Sequence, residues 1–275
     1  TKMKRFLILI VLVLSGCGDS EELSTEPVPT QNFYKPMPSP PSIDEITEEV
    51  NVTATITDEQ AGILNRVSAC LCLNLSSITN TQAESLSKVR ALELYGLTSI
   101  TDKQAESLGK TKHLFLNELT SISDAQAESL SKVTDLELNG LTSITDLQAE
   151  SLSKVERLQL WGLTSITNPQ AESLSKVSEL VLYGLTSITD EQATILSRFE
   201  GSLSLGITSI TDEQAESLSR VENLSLSSLT SITDRQTEIL STNPNFLFSP
   251  GSLTSITKKQ LVGFCSFETL NLDSL

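Results

Sequence analysis

The chain reads as an α/β solenoid, about ten copies of one strand–turn–helix unit stacked side by side. Three observations predict this. An Ile-Thr-Asp-like triplet recurs with its Ile at 56, 78, 100, 122, 144, 166, 188, 210, 232 and 256, eight steps of 22 residues and one of 24. A fixed period of that size, held in register, marks a solenoid. In each unit a pair such as Leu92 and Leu94 alternates with period two, as in a strand with one buried face. Each triplet then opens onto Thr-x-x-Gln and a short Ala/Leu run, the signature of a capped helix.

The first segment is a processing signal. Lys2, Lys4 and Arg5 make a basic start, and Phe6 to Leu14 is a run of nine apolar residues. A membrane-spanning helix needs about 20, so this run is a signal-peptide core. Leu14-Ser15-Gly16-Cys17 resembles the lipobox of bacterial lipoproteins, an aliphatic residue and two small ones before a Cys. The plainer alternative is an ordinary secretory signal that happens to contain a Cys. The agreement of charge, core length and box favours the lipobox. The resemblance implies cleavage of residues 1–16, acylation of Cys17 and a stable anchor, since two or more chains hold firmly. It implies an envelope location: the outer membrane if the cell has one, otherwise the outer face of the cell membrane. Gly18 after the Cys favours the outer membrane, and Asp19 blurs that signal.

Residues 17–50 form the lipidated Cys and a tether. Six prolines lie between Pro27 and Pro41, and eight acidic residues oppose Lys35 alone. With no apolar periodicity the segment buries too little to fold. As a flexible coil it spans roughly 30 Å, and extended by proline and self-repulsion it approaches about 100 Å.

Residues 51–275 form the repeat domain. Gly96, Gly140, Gly162 and Gly184 follow the strands, where positive φ would be cheap, and Asn74 fills the same slot. Thr101 and Gln104 make a capping box with Asp102 at the positive helix end. Pro169 sits in a first helical turn, which accepts it. Glu106 and Lys110, and the equivalent pairs at 84/88, 128/132, 150/154 and 172/176, are spaced for i,i+4 attraction. One unit cannot bury its roughly seven inward residues alone, and stacking buries them. The unit resembles the leucine-rich-repeat family, closest to the subclass with a Cys in the turn and Ile-Thr-Asp after it. Leu97, Leu119 and Leu141 stand in the Cys place, which removes the family's usual side-chain ladder. The Thr98 and Ser99 columns are expected to satisfy the turn backbone instead. The resemblance implies a horseshoe, a parallel sheet on the concave face and short helices on the convex face. Phe267-x-x-Leu270-x-Leu272 matches a final half unit. Such an edge is a pairing hazard, so it stacks on a second copy, a partner covers it, or the final strand simply frays.

Little in the chain suggests catalysis or cofactors. The one His, His113, is expected at the surface. No His, Cys or carboxylate cluster has metal-ligand spacing, and no phosphate loop or nucleophile elbow occurs. No metal, cofactor or enzymatic activity is expected. Cys70 and Cys72 fall under Leu92 and Leu94 at the 22-residue period, and are expected to replace core leucines. Cys265 lies too many units away to reach them, and the odd count after acylation of Cys17 argues against a disulfide framework. The Asp column (58, 102, 124, 146, 190, 212, 234) could be read as a calcium ladder, but capping explains it without a metal. The net charge is −16. Loss of the three leader cations makes it −19, with −7 on the tether and −12 on the array. Nucleic acid and anionic lipid surfaces are therefore poor partners.

The strand positions flanking the leucines are the part of the unit that varies. One column reads Glu93, Phe115, Glu137, Gln159, Val181, and the next Tyr95, Asn117, Asn139, Trp161, Tyr183. Near 70–75 and 200–206 the register slips by one residue, and outward positions are not assigned there. Sameness where stacking demands it and variety on one face describe a recognition surface. The expected site is a protein-binding concave face centred on Tyr95, Phe115, Trp161 and Tyr183, flanked by Glu93 and Glu137. A glycan would suit the same aromatics. The alternative is a structural envelope component that works by self-association.

Overall fold

A computed structural model describes residues 55–66, 70–247, 253 and 255–264. The signal segment, Cys17, the tether, Cys265 and the final half unit with its expected self-pairing lie outside these residues. The described elements alternate along the chain: α1 (Asp58–Leu64), β1 (Cys70–Asn74), α2 (Asn80–Leu86), β2 (Ala91–Tyr95), α3 (Asp102–Leu108), β3 (His113–Phe115), α4 (Asp124–Leu130) and β4 (Asp135–Glu137). They continue as α5 (Asp146–Leu152), β5 (Arg157–Gln159), α6 (Asn168–Leu174), β6 (Glu179–Leu182), α7 (Asp190–Leu196), β7 (Ser202–Leu205), α8 (Asp212–Leu218), β8 (Asn223–Ser225), α9 (Asp234–Leu240) and α10 (Lys258–Phe264). The eight strands make one parallel sheet in sequence order, and Leu247 adds a single bridge beyond β8. The fold is a leucine-rich-repeat solenoid.

The core follows the leucine columns. Leu92, Leu114, Leu136, Leu158, Leu180, Leu203 and Leu224 stack as ladder neighbours and are essentially solvent-free. Ala105, Leu108 and their equivalents close the core from the helix side. Each buried leucine contributes about 2 kcal/mol.

The helix starts do more than the sequence suggests. Every cap from Thr57 to Thr233 forms the expected reciprocal box with the Gln three residues on. From Gln82 on, the Gln side chain is buried (half-buried at Gln104), and its amide reaches the unit before. Gln148 Oε1 accepts from Thr145 N–H at 2.9 Å, while its Nε2 donates to the Ile122 carbonyl at 2.9 Å. The same double bond recurs from Gln82 to Gln260. The Asp column also links units. The cap hydroxyl of one unit donates to the Asp of the unit before, as from Thr145 to Asp124 at 3.0 Å. Asp58, Asp102, Asp146, Asp190 and Asp234 accept in the same way from the cap hydroxyl of the following unit. The column thus lies in the first helical turns and links units through the cap hydroxyls.

Three expectations need correction. Positive φ occurs only at Gly96 among the described glycines. At Gly162 the reason for glycine is crowding: a Cβ there would sit 2.5 Å from the carbonyl oxygens of Asn139 and Leu141 in the preceding unit. Asn74 does not fill the glycine slot, because it pairs with Tyr95. The Glu–Lys pairs are not among the described ion pairs. The helix ends at Leu108 with Gly109 as its C-cap, so Lys110 lies past the helix and the i,i+4 geometry is lost. The turn backbone is held partly as expected, with Thr208 and Thr230 hydroxyls donating to the Thr carbonyl of the unit before.

Four substitutions separate these effects in urea melts. Gly162→Ala should destabilise by about 1–3 kcal/mol, because backbone must move. Gly62→Ala, in helix α1 with nothing within 4 Å of the added carbon, should stabilise by up to about 1 kcal/mol. Gln148→Ala should cost about 1–3 kcal/mol by leaving the half-buried Thr145 N–H and Ile122 carbonyl unpaired, more than the roughly 1 kcal/mol of a lost cap at Thr145→Ala.

Candidate functional site

The sheet buries one face and leaves the other open. On the open face each strand presents residues two apart. Ladder pairing defines a first column of Cys70, Ala91, His113, Asp135, Arg157, Glu179, Ser202 and Asn223. A second column runs Cys72, Glu93, Phe115, Glu137, Gln159, Val181, Ser204 and Ser225. Asn74 and Tyr95 begin a third, which continues through Asn117, Asn139, Trp161 and Tyr183.

The expected site residues all lie on this face but form two patches. Trp161 and Tyr183 are 46% and 41% exposed, with ring centroids 5.4 Å apart and planes tilted by 54°. Tyr95 is three strands from Trp161, about 14 Å at the sheet spacing. It belongs to a second patch with Glu93, Phe115 and Glu137, where half-buried Phe115 sits between the two carboxylates. The Glu93 carboxylate accepts the Tyr95 hydroxyl and, with burial, pushes that hydroxyl's pKa up. Burial likewise raises Glu137, against the lowering effect of Asn117, which donates to it at 3.0 Å.

Asn117 and Asn139 play a structural part as well. Asn117 Oδ1 accepts from Asn139 N–H at 3.3 Å, and Asn139 Oδ1 from Trp161 N–H at 3.1 Å. A short asparagine ladder thus ends the strands just where the aromatic pair begins.

The first column was not foreseen. His113 is no plain surface residue. It is half-buried, and its Nδ1 pairs with Asp135 Oδ2, which also receives Arg157. Burial works to raise the Asp135 pKa, but the Arg157 and His113 hydrogen bonds and charges outweigh it and hold the carboxyl below its usual range. Asp135 Oδ1 is shielded from solvent without a hydrogen-bond partner. Beside it a hollow of about 300 Å³ is lined by Phe115, Glu137, Arg157, Gln159 and Glu179. Only the 22-residue spacing of 113, 135 and 157 signalled this row, and variety along the chain drew attention to the two columns after it.

Cys70 and Cys72 are not core residues. Leu71 pairs with Leu92 and is fully buried, so the thiols face the open side. The cause is a shorter turn: Leu73 and Leu75 are two apart where Leu94 and Leu97 are three apart, and no residue matches Gly96. Cys72 Sγ donates to Glu93 Oε2 at 3.2 Å and lies 3.7 Å from Cys70 Sγ. Burial, then Glu93, pushes the Cys72 thiol pKa well up. The slip at β7 likewise puts Ser202 and Ser204 on the open face.

No family model matches the sequence, and no curated protein matches it. Among solved structures the chain is similar to internalin C2 from Listeria monocytogenes at 19% identity and a TM-score of 0.45, over 70% of this chain and 84% of that one. A second internalin from that organism is 14% identical with a TM-score of 0.37, over 82% of this chain and 91% of that one.

The depressed Asp135 pKa fixes a sign. Its contribution to stability is complete above the unfolded carboxylate pKa and is lost as pH falls through the lower folded value. Asp135→Asn should therefore lower stability at neutral pH by about 1–3 kcal/mol. The gap to the parent chain should narrow in melts run below the ordinary Asp range.

Proposed function

We propose that this chain is a lipid-anchored envelope protein whose open sheet face binds another protein. The observation that carries this is the Trp161–Tyr183 pair, exposed and ring-to-ring on the open sheet face. The chain holds one Trp and three Tyr, and Trp161, Tyr95 and Tyr183 all lie on this face. Rigid aromatics lose little rotamer freedom on binding and dominate contact energies when they are covered. The strands fix their spacing, so the face meets a partner preorganised.

The hollow beside the pair narrows the partner's character. Asp135, Glu137 and Glu179 line it with Arg157 as the one fixed cation, and Asp135 Oδ1 is unpartnered. A basic side chain satisfies these acceptors, so the partner is read as a protein segment presenting Lys or Arg beside an apolar contact. The array's negative charge favours approach of such a segment. The lipid at Cys17 holds the array at the membrane, the outer one where the cell has two, and the tether sets its height.

Two experiments test this. The full chain serves as bait against envelope extract beside a variant with Tyr95, Phe115, Trp161 and Tyr183 changed to Ser. A prey lost from the variant, with more than about tenfold weaker binding from an aromatic hot spot, is expected. A prey retained equally would sink the open-face site. Palmitate labelling should mark the parent chain and not Cys17→Ser, and equal labelling would remove the anchor.

A further inference from the structure

Three ligand-type atoms converge at the β1 end of the open face: Cys70 Sγ, Cys72 Sγ and a Glu93 carboxylate oxygen, all within 4.8 Å of one another. The convergence is dictated by backbone. Cys70 and Cys72 are i and i+2 on one strand, so both point the same way. Glu93 pairs directly with Cys72 on the next strand, and Ala91, paired with Cys70, carries only a methyl group across the ladder. The observed edges, 3.7 Å for S···S and 3.2 Å for S···O, approach those of a metal tetrahedron. Zinc bonds of about 2.3 Å to sulfur and about 2.1 Å to oxygen put those edges near 3.8 and 3.6 Å.

We propose that Cys70, Cys72 and Glu93 form a binding site for a thiophilic divalent cation, zinc in particular, with a solvent molecule completing the tetrahedron. Two thiolates and a carboxylate are a donor set that selects zinc over hard cations such as calcium or magnesium. Binding the ion displaces both thiol protons to solvent, and no oxidant or reductant takes part. A disulfide is the rival for the same two sulfurs. Residues i and i+2 of an extended strand have Cα atoms about 6.6 Å apart, at the far edge of what a disulfide spans, so the geometry favours bridging by a metal. The site neither needs nor excludes a protein partner on the aromatic patch, so its failure would leave that reading intact.

The test is cobalt titration of the full-length chain, reduced with a phosphine, followed by displacement with zinc. A sulfur-to-cobalt charge-transfer band saturating at about one ion per chain, with tetrahedral visible bands that zinc abolishes, is expected. The band should survive Cys265→Ser and vanish in Cys70→Ser/Cys72→Ser. Glu93→Gln should weaken binding by about tenfold or more, since even outer-shell partners of a metal site are worth that much. Circular dichroism of each variant checks that the half-exposed substitutions leave the fold unchanged. A band that persists in the double variant, no band in the parent chain, or a Cys70–Cys72 disulfide whose reduced form binds no cobalt would each overturn the site.

Discussion

One glutamine per unit, buried in most of them, holds the array together. Its carbonyl oxygen closes the helix cap of its own unit, and its amide nitrogen donates to the Ile carbonyl of the unit before. A buried backbone carbonyl and a half-buried helix-start N–H would otherwise lack partners, at a cost of about 1–3 kcal/mol for the buried one. Because both bonds come from one planar amide, they fix the rise between units and the helix position together. The cap hydroxyl adds a parallel link to the preceding Asp or Asn, as from Thr101 to Asn80 and from Ser123 to Asp102. Stacking at the helix side is thus specified by three positions of the unit: Thr, Asp and Gln.

Close stacking has consequences in the turns. Units held this tightly bring the carbonyls of one turn against the next, so no Cβ fits at Gly140, Gly162 or Gly184. Crowding and not backbone handedness keeps these glycines. The turn can lose a residue as long as the box stays in register. Ile56, Ile78 and Ile100 keep their 22-residue steps while the strand between the first two slips by one. The same compensation occurs at β7, where Leu203 lies 23 residues after Leu180 and 21 before Leu224.

The contrast between these two layers explains what the sequence revealed. The fold was legible because the box is copied almost without change, and chemistry that repeats is visible as period. Four aromatics and two carboxylates of the open face were legible for the opposite reason, as variety at a known offset. Their division into two patches was not, since distance along a sheet counts strands, and Tyr95 and Trp161 share one column with two strands between them. The His113–Asp135–Arg157 row escaped because a charge ladder needs the partner's geometry to distinguish it from three solvated side chains. The thiols escaped through arithmetic: counting back 22 from Leu92 lands on Cys70, whereas the backbone counts 21 and lands on Leu71.

That slip also shows how such a scaffold acquires chemistry. With a side-chain period of two, a one-residue shift exchanges the faces of a strand. At β1 it places Leu71 where a core leucine is required and turns Cys70 and Cys72 outward to Glu93. The core tolerates the exchange because its leucine is preserved, and the helix-side box tolerates it because the turn absorbs the missing residue. Stacking demands are met by residues on helices and turns and by the inward strand leucines, so most outward strand positions are released from them. Within one 22-residue unit the stacking chemistry and the open-face chemistry are separable, and the second can change at a single strand while the first stays fixed.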